Sequence, residues 1–343
     1  MLERYLLYGS VRYALAILRP LQDAIRARGA EAAWFFDGDG ADELAPDERW
    51  LRTAQEVRAW APQAIFTSSN ALPHFFPGVK VQTFHGFDAG KPRHIYIRPF
   101  FDLYCTTGPQ DTRAFQALAE QRGYFAVKET GWPKLDPFFK SLDAELPPVR
   151  EPPVVLYHST FSPSWSAAEA LYEEIKRLSA SGEWRWIVTL HPKMDPATVA
   201  KYRALQGPYL RYADDDNIID LFSQADMMCS DTSSALSEFL LTGKPVVTFR
   251  NRRPGPQLID IQEVGEFEPA IRRALARPPG LLQSIRSFAD SIHPLRDGCA
   301  SERSLAAVDE FLAEGGVAGL KRKPFDPWRN LKLRRKLGYW GPA

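Results

Sequence analysis

The chain has 343 residues, a formal net charge of +1, 45% hydrophobic residues and 25% charged residues. This length allows two domains of ordinary size, and the balanced charge gives no electrostatic case for nucleic acid as a partner. The three cysteines lie far apart, which disfavours both a disulfide framework and a zinc site.

Strand-like and helix-like segments alternate along the chain, as in βα units that build a parallel sheet. In the first half, strands are predicted at residues 5–8, 32–36, 64–67, 80–84 and 103–106, with a helix over 16–28. Four prolines between residues 146 and 153 then predict a linker. In the second half, strands are predicted at residues 154–158, 186–190, 226–229 and 245–249, with one helix over 167–179 and another ending at 241. The pattern predicts an α/β protein with two Rossmann-like domains built on parallel sheets.

The hydroxyl-rich segment 230–234 has the pattern of a phosphate-binding turn, because it links a short strand to a helix. The first turn of a helix presents unpaired N–H groups at its positive end, which suits a phosphate group. Ser234 and Glu238 are four residues apart and share one helix face, so the carboxylate is placed to bind ribose hydroxyls. The alternative is that Asp231 or Thr232 only caps the helix.

Two histidines stand where predicted strands end. His85 follows the strand at 80–84, and His191 follows the strand at 186–190. Ligands of doubly wound sheets gather at the carboxyl ends of strands, so one histidine in each half would place both across an interdomain cleft. Histidine can take a proton from a hydroxyl near neutral pH or stabilise phosphate charge. Taken singly, each could instead be a structural histidine.

The sequence Asp37-Gly38-Asp39, after the strand at 32–36, is a candidate site for a divalent metal ion. Two carboxylates on a loop suit Mg²⁺ or Mn²⁺, as in metal-dependent glycosyltransferases. The same residues are typical of a tight turn, because glycine supplies the required backbone angles. They lie far from the other motifs in sequence, and we predict no metal site.

Residues 306–343 are predicted to form a C-terminal helix and a basic aromatic tail. Residues 321–343 hold eight lysines or arginines beside four aromatic residues, Phe325, Trp328, Tyr339 and Trp340. This mixture suits an anionic membrane surface, whereas the alternative is a terminal helix whose aromatic side chains pack on the body. No signal peptide and no run of 18 apolar residues is recognisable, so we expect a cytoplasmic protein, peripheral on the inner face of the plasma membrane.

Taken together, these blocks resemble the CDP-glycerol glycerophosphotransferase family, whose members build teichoic-acid-like polymers. The resemblance spans about residues 80–305 and rests on five blocks in the family's order: His85-Gly86 with Lys91, Gly131 to Asp136, Leu190-His191-Pro192, Ser230 to Ser234 with Glu238 and Gly243-Lys244-Pro245, and Asp297 to Arg303. It implies the GT-B architecture, with two Rossmann-like domains that face a cleft. Residues 1–145 would then be the acceptor domain and residues 146–305 the nucleotide-donor domain.

The resemblance also implies roles for individual residues. His85 would be the general base that deprotonates an acceptor hydroxyl on a glycan or lipid-linked acceptor. The oxygen would attack the β-phosphorus of a CDP-glycerol donor, and CMP would leave. His191 would steady the pyrophosphate. The donor-binding residues would be Asp231, Thr232, Ser233, Ser234 and Glu238: Ser233, Ser234 and neighbouring amides would bind phosphate, and Glu238 would hold the ribose. No metal or other cofactor would be required, since histidine and helix N-termini supply a positive field.

The sequence departs from the family pattern at several positions. Phe84 replaces a tryptophan, Thr232 replaces a tyrosine, and Glu238 replaces an aspartate. His158 stands where a small residue is common. Glu238 is typical of sugar-nucleotide enzymes of this architecture, so the alternative is a GT-B sugar-nucleotide glycosyltransferase or a UDP-N-acetylglucosamine 2-epimerase-like enzyme. A non-catalytic assembly protein on the same scaffold is a third hypothesis. Three residues are acceptor-side candidates by position only: Arg12, Arg19 and Asn70.

Overall fold

The computed structural model describes residues 2–87, 97–141, 146–214 and 218–342 of the chain. The chain divides into two compact units, each built on a parallel β-sheet with helices. The first unit holds Met1–Ser141 and Ser291–Ala343, and the second unit holds Leu142–Asp290. The predicted α/β class with two Rossmann-like domains is therefore confirmed.

The first unit begins with alternating strands and helices. Its elements up to residue 141 are β1 (Arg4–Gly9), α1 (Ala14–Ala27), β2 (Glu31–Phe36), α2 (Ala54–Trp60), β3 (Ala64–Thr67), β4 (Val79–Gln82), β5 (Leu103–Thr106), α3 (Pro109–Arg122), β6 (Ala126–Glu129) and α4 (Asp136–Ser141). The strand order is β2-β1-β3-β4-β5-β6, so the direction of chain progression reverses between β1 and β3. Leu6 of β1 lies opposite Ile65 of β3, and both side chains belong to a buried apolar cluster.

The second unit also alternates strands and helices around a six-stranded parallel sheet. Its elements are β7 (Val154–Ser159), α5 (Ala168–Ser181), β8 (Arg185–Leu190), α6 (Pro196–Arg203), β9 (Leu210–Tyr212), α7 (Ile218–Gln224), β10 (Met227–Ser230), α8 (Ala235–Leu240), β11 (Val246–Phe249), β12 (Ile259–Ile261), α9 (Phe267–Leu275) and α10 (Pro279–Ile292), whose last residues enter the first unit. The strand order is β12-β11-β10-β7-β8-β9. Read from its other edge, this is the 3-2-1-4-5-6 order of dinucleotide-binding Rossmann domains. The switch point, where ligands bind in such sheets, lies between β7 and β10.

The predicted linker has neither helix nor strand over residues 146–153. Arg150 anchors it, because its Nη1 donates to Oδ1 of Asp226 at 3.0 Å. Oδ2 of the same buried carboxylate accepts the backbone N–H of Val154 at 2.8 Å. These bonds fix the point at which the first strand of the second unit begins.

The C-terminal segment Ser291–Ala343 belongs to the first unit. The second unit therefore ends at Asp290, whereas the sequence predicted that the donor domain ends at residue 305. Two further helices complete the first unit, α11 (Ala300–Ala313) and α12 (Pro327–Leu337). The carboxylate of Asp136 accepts the N–H groups of Ala300 and Ser301 at 2.8 and 2.7 Å. Arg303 donates to the carbonyl oxygen of Thr130 at 2.8 Å. The two sequence blocks that contain Asp136 and Arg303 therefore form one joint within the first unit.

A buried histidine lies in the same joint. Nε2 of His293 accepts the backbone N–H of Trp132 at 2.9 Å, so that nitrogen must be unprotonated. The rings of Phe87 and Phe139 pack against the imidazole, with centroids 5.8 and 5.4 Å away. Burial is the main cause that lowers the pKa of His293 to about 4.

This pKa predicts a loss of stability in mild acid. The folded pKa lies below the ordinary value of about 6.5, so the stabilisation is complete above pH 6.5 and is lost as the pH falls towards 4. Between pH 7 and pH 5 we expect His293 to contribute a loss of about 2 kcal/mol. His293→Gln keeps an acceptor but does not titrate, so it should reduce this difference. The free energy of opening at the Trp132 amide, from hydrogen exchange at both pH values, checks the prediction, and an equal acid loss in the variant would refute it.

The tail is only partly packed against the first unit. Tyr339 is buried, and its ring stacks on Phe75 with centroids 4.8 Å apart. The guanidinium of Arg334 lies 4.9 Å from the centre of the Phe75 ring. The other three aromatic side chains of the tail are 74, 80 and 65% exposed, namely Phe325, Trp328 and Trp340. None of the helices in the described ranges is both long and apolar enough to cross a bilayer.

Candidate nucleotide-binding and catalytic site

Most of the predicted site residues meet at the carboxyl edge of the second sheet. Ser159, the last residue of β7, connects them. Its carbonyl oxygen accepts the backbone N–H of His191 at 3.1 Å, and its hydroxyl donates to Oδ2 of Asp231 at 2.5 Å. The ends of β7, β8 and β10 are thereby held in one arrangement.

Asp231 organises this edge from inside the protein. Its side chain is fully buried, and it accepts the N–H groups of Thr160 and Ala167 at 3.1 and 3.0 Å in addition to the Ser159 hydroxyl. Burial raises the pKa of this carboxyl. The family resemblance implies that Asp231 is a donor-binding residue, but its side chain joins the loop after β7 to the turn after β10. We therefore describe it as a positioning residue.

The turn after Asp231 leaves hydroxyls at the surface. Thr232 and Ser233 are partly exposed and Ser234 is exposed. The hydroxyl of Thr232 accepts the N–H of Arg252 at 3.2 Å, and that of Ser233 accepts the N–H of Ala235 at 3.3 Å. Ser234 is the N-cap of α8 without a side-chain capping bond, so neither Asp231 nor Thr232 caps this helix.

Helix α8 itself is short, with six residues. Its dipole is therefore weak, and the hydroxyls and loop amides of the turn are the stronger candidates for contact with phosphate. Glu238 lies one turn after Ser234 and is 7% exposed. The predicted Ser234–Glu238 spacing is present, with the carboxylate nearly covered.

His191 presents a hydrogen-bond donor to the site. Its Nδ1 accepts the backbone N–H of Lys193 at 3.1 Å, so the neutral ring must carry its proton on Nε2. Burial, followed by the nearby Lys193 charge, lowers the pKa of His191. The half-exposed ring therefore offers a neutral N–H group, which is suited to a phosphate oxygen. The ring of Phe161 packs on the imidazole with centroids 4.5 Å apart.

Two cations that the sequence analysis did not single out lie near these residues. Lys193 follows His191, and its Nζ lies 5.8 Å from the centre of the Phe161 ring. Arg252 follows β11, and its guanidinium lies 4.8 Å from the centre of the exposed Trp165 ring. Both follow strands of the parallel sheet, so a search of every strand end for charged residues would have found them.

His85 lies in the first unit, three residues after Gln82, the last residue of β4. The residue before it, Phe84, has φ of +59°, a left-handed conformation that is strained for a side chain of this size. Gln82 fixes this bend, because its Oε1 accepts the Phe84 N–H at 3.0 Å and its Nε2 donates to the carbonyl oxygen of Ser69 at 2.9 Å. The bend exposes the His85 side chain, whose ring centroid is 6.2 Å from that of Tyr13. Lys91, which the resemblance pairs with His85, lies outside the described residues.

The remaining candidates of the first unit differ in their surroundings. Arg19 donates twice to Glu48 at 3.0 Å, which is a structural ion pair. Arg12 is largely exposed beside Glu43, and Asn70 is exposed. Among the described residues, no group of three or more His, Cys, Asp or Glu side chains is arranged to hold a metal. Asp37 pairs with Lys336 of the tail at 2.7 Å.

The family model described as CDP-glycerol:poly(glycerophosphate) glycerophosphotransferase matches residues 79–252, about half of the chain. The chain belongs to this family. The match runs from the first residue of β4 to Arg252, and so includes His85, His191 and the turn at 230–234. None of the curated proteins matches the sequence.

Solved structures with this fold are similar to the chain at low sequence identity. A Listeria monocytogenes structure assigned as a UDP-N-acetylglucosamine 2-epimerase has a TM-score of 0.63 at 13% identity, covering 92% of this chain and 98% of that chain. The structure of Staphylococcus aureus MnaA with UDP has a TM-score of 0.60 at 13% identity, and the match covers 95% of this chain and 100% of that chain. A histidine-to-asparagine variant of the wall teichoic acid polymerase TagF, soaked with CDPG, has a TM-score of 0.61 at 12% identity. The match covers 90% of this chain and 89% of that chain. These likenesses show a GT-B type fold for this member of the glycerophosphotransferase family.

Proposed function

We propose that this protein transfers a glycerol-phosphate unit, or a related phosphoalditol, from a CDP-linked donor to a hydroxyl of a glycan or lipid-linked acceptor. The product would be part of a cell-surface polymer. Family membership supports transfer from a CDP-linked donor, and the TagF structure soaked with CDPG supports a nucleotide donor on this fold. The observation that carries the proposal is the carboxyl edge of the second sheet, where a His191 N–H donor and the hydroxyls of residues 232–234 lie on strand ends joined through Ser159 and Asp231.

In this mechanism the second unit binds the donor. The Nε2–H of His191 donates to a pyrophosphate oxygen, and Ser233 and Ser234 contact phosphate. Lys193 and Arg252 add positive charge beside them, and Glu238 accepts hydrogen bonds from the ribose. These groups would stabilise the charge that develops on the phosphates as the bond to CMP breaks.

In the first unit, His85 acts as general base. It takes the proton of the acceptor hydroxyl as that oxygen attacks the β-phosphorus of the donor. A new phosphate–oxygen bond forms, the bond between the two phosphates breaks, and CMP leaves with the electron pair. We propose no metal and no organic cofactor, because cationic and N–H groups of the chain supply the positive field.

A sugar-nucleotide enzyme is the second candidate. A structure assigned as a UDP-N-acetylglucosamine 2-epimerase and a structure with UDP have TM-scores of 0.63 and 0.60, close to the 0.61 of TagF. Glu238 would also fit the ribose-binding carboxylate of such enzymes. The two functions differ in the nucleotide that they require. Binding preference for cytidine or uridine diphosphates therefore separates them.

Calorimetry with CDP, CMP, CDP-glycerol, UDP and UDP-N-acetylglucosamine tests the proposed function. We expect the wild-type protein to prefer CDP and CDP-glycerol. Glu238→Ala and Ser233→Ala should each weaken CDP binding about tenfold or more, because each removes a polar contact to the ligand. Ser237→Ala, which removes a hydroxyl of the same helix that has no proposed ligand contact, is the matched control. Preference for the uridine compounds would favour the second candidate, and unchanged CDP affinity in both variants would remove these residues from the site.

We also propose that the enzyme is cytoplasmic and binds the inner face of the plasma membrane through its tail. Helix α12 has one face packed on the first unit and one exposed face, formed by Trp328, Leu331, Lys332 and Arg335. Within the described residues, three of the eight tail cations form ion pairs, namely Lys323, Arg329 and Lys336. Of the other five, Arg334 packs on Phe75, and four are exposed, namely Lys321, Arg322, Lys332 and Arg335. Cations near an anionic bilayer contribute about 1 kcal/mol each, and interfacial aromatic side chains add apolar contact.

The membrane proposal predicts a specific loss in liposome binding. Changing Phe325, Trp328 and Trp340 together to serine should reduce co-sedimentation with phosphatidylglycerol vesicles several-fold, since these exposed rings are the apolar part of the surface. Deleting the whole tail is a poorer test because Tyr339 and Arg334 pack on Phe75. Trp50→Ala, a change at an exposed tryptophan elsewhere in the first unit, is the control. Equal co-sedimentation of the triple variant and the wild type would leave the tail without a membrane role.

A further inference from the structure

Two neighbouring residues at the switch point of the second unit each carry a buried polar atom. The register that pairs Cys229 of β10 with Tyr157 of β7 places Ser230 beside His158, the next residue on each strand. Side chains at such paired positions point to the same face of the sheet. His158 is 6% exposed and Ser230 is 1% exposed. Within the described residues, neither Nδ1 of His158 nor Oγ of Ser230 has a hydrogen-bond partner.

The flanking residues of the same row are already engaged. Thr189 of β8 lies beside His158, and its backbone hydrogen-bonds the imidazole. Thr248 of β11 lies beside Ser230, and its hydroxyl donates to Asp260 at 2.7 Å. Within the described part of the chain, the buried side-chain atoms of this row that lack a partner are Nδ1 of His158 and Oγ of Ser230, whereas buried polar groups are normally satisfied. His158 is the next-to-last residue of β7 and Ser230 is the last residue of β10, so both lie at the carboxyl ends of the two switch-point strands, where open α/β sheets bind ligands.

We infer that His158 and Ser230 together bind a hydroxyl group of the nucleotide donor, in the floor of the donor site. This inference rests on the proposed function. A ligand hydroxyl would donate a hydrogen bond to Nδ1 of His158 and accept a hydrogen bond from the Ser230 hydroxyl. Burial, followed by a smaller effect of His191, lowers the pKa of His158 to about 4, so the ring is neutral near pH 7 and Nδ1 can accept. The hydroxyl belongs either to the ribose or to the alditol, and both are present in a CDP-alditol.

Ligand pairs that differ in hydroxyl groups test the inference by calorimetry. CDP against 2′-deoxy- and 3′-deoxy-CDP examines the ribose, and CDP-glycerol against a CDP-propyl analogue examines the alditol. In the wild type, one pair should show about a tenfold or larger preference for the hydroxylated ligand, and His158→Ala and Ser230→Ala should abolish that preference. Thr248→Val removes a hydroxyl that is bonded internally, so this control should keep the preference. His158→Asn, which retains an acceptor near Nδ1, should keep part of it and replaces the alanine variant if that variant does not fold.

Several results would overturn the inference. The first is that both alanine variants still prefer the hydroxylated ligand as strongly as the wild type does. The second is that the wild type binds both ligands of every pair equally well. Equal weakening of both members of a pair would assign the two residues a purely structural role and would also refute it. If the protein binds uridine nucleotides instead, the proposed function fails, and the same comparison with UDP and its deoxy analogues still tests the two residues. A protein that binds no nucleotide overturns both proposals.

Discussion

Replacing His85 by alanine is expected to lower kcat by about 10²–10⁴-fold, while the affinity for the donor nucleotide stays near that of the wild type. A general base acts chiefly in the transition state, because the acceptor hydroxyl loses its proton only as the new bond forms. The proposed donor contacts lie in the second unit, so this change should leave them in place. The strained Phe84 and the two bonds of Gln82 hold the histidine at the carboxyl end of β4.

The measurement is CMP release at saturating donor, combined with calorimetry of donor binding. A second readout is the pH profile of kcat, whose acidic limb should disappear in the variant if it reports protonation of this base. His74→Ala is the matched control, because His74 is another partly exposed histidine of the first unit with no proposed role. Turnover at the wild-type rate in His85→Ala would remove this residue from the mechanism.

Replacing Asp231 by alanine should destabilise the second unit by about 3 kcal/mol or more and abolish measurable donor binding. The change leaves the N–H groups of Thr160 and Ala167 without their acceptor in a buried place. The Ser159 hydroxyl loses its bond to Asp231 but keeps the Ser166 hydroxyl as a partner at 2.8 Å. Each unsatisfied buried group costs about 1–3 kcal/mol. The loop after β7 would then separate from the turn that carries the serines, so affinity falls even though Asp231 makes no ligand contact.

Denaturant unfolding of the second unit and CDP calorimetry check this prediction. Asp195→Ala is the control, since Asp195 is exposed and accepts a backbone N–H of Thr198 at a helix start. Losing such a cap costs about 1 kcal/mol. An Asp231 variant that is as stable as this control would show that the buried carboxylate does not organise the edge. Normal CDP affinity in a destabilised variant would show that Asp231 stabilises the second unit but is not needed for donor binding.

The sequence predicted the central strands well because they bury both faces and read as short apolar runs. The predicted strands at 64–67 and 103–106 agree with β3 and β5 at both ends. The strands that were missed are β6, β9 and β12, and all three lie at sheet edges. Edge strands bury less surface, and the four residues of β6 are all only partly buried, so their apolar signal is weak.

The sequence blocks were informative about family but less so about the role of each residue. The block around Gly243 contributes Lys244, which is buried and donates to the carbonyl oxygens of Phe222 and Ala225 at 2.8 and 2.7 Å. Burial lowers the pKa of Lys244 to about 8, and the side chain serves the fold at that place. The link between Asp136 and the start of α11 is equally structural, and it spans more than 160 positions along the chain. Hydrogen bonds over such separations depend on the tertiary fold, which residue spacing does not encode.

The site itself shows the same division. The sequence placed His191 and the hydroxyl turn correctly at strand ends, because the carboxyl ends of parallel strands share one edge. It could not show that Nδ1 of His191 accepts a backbone N–H, which leaves Nε2–H for the ligand. Nor could it separate Asp231, whose side chain is buried, from the exposed Ser234 in the same segment. Burial and hydrogen-bond direction decide these roles, and both follow from the folded structure.

The most direct test of the proposed transfer is CMP release from CDP-glycerol in the presence of glycan or lipid-linked acceptors. We predict that CMP appears in equal amount with glycerol phosphate bound to the acceptor, and that His85→Ala abolishes both. Absence of CMP release with every acceptor, together with turnover of UDP-N-acetylglucosamine by the same protein, would contradict the proposal and assign the chain to sugar-nucleotide chemistry.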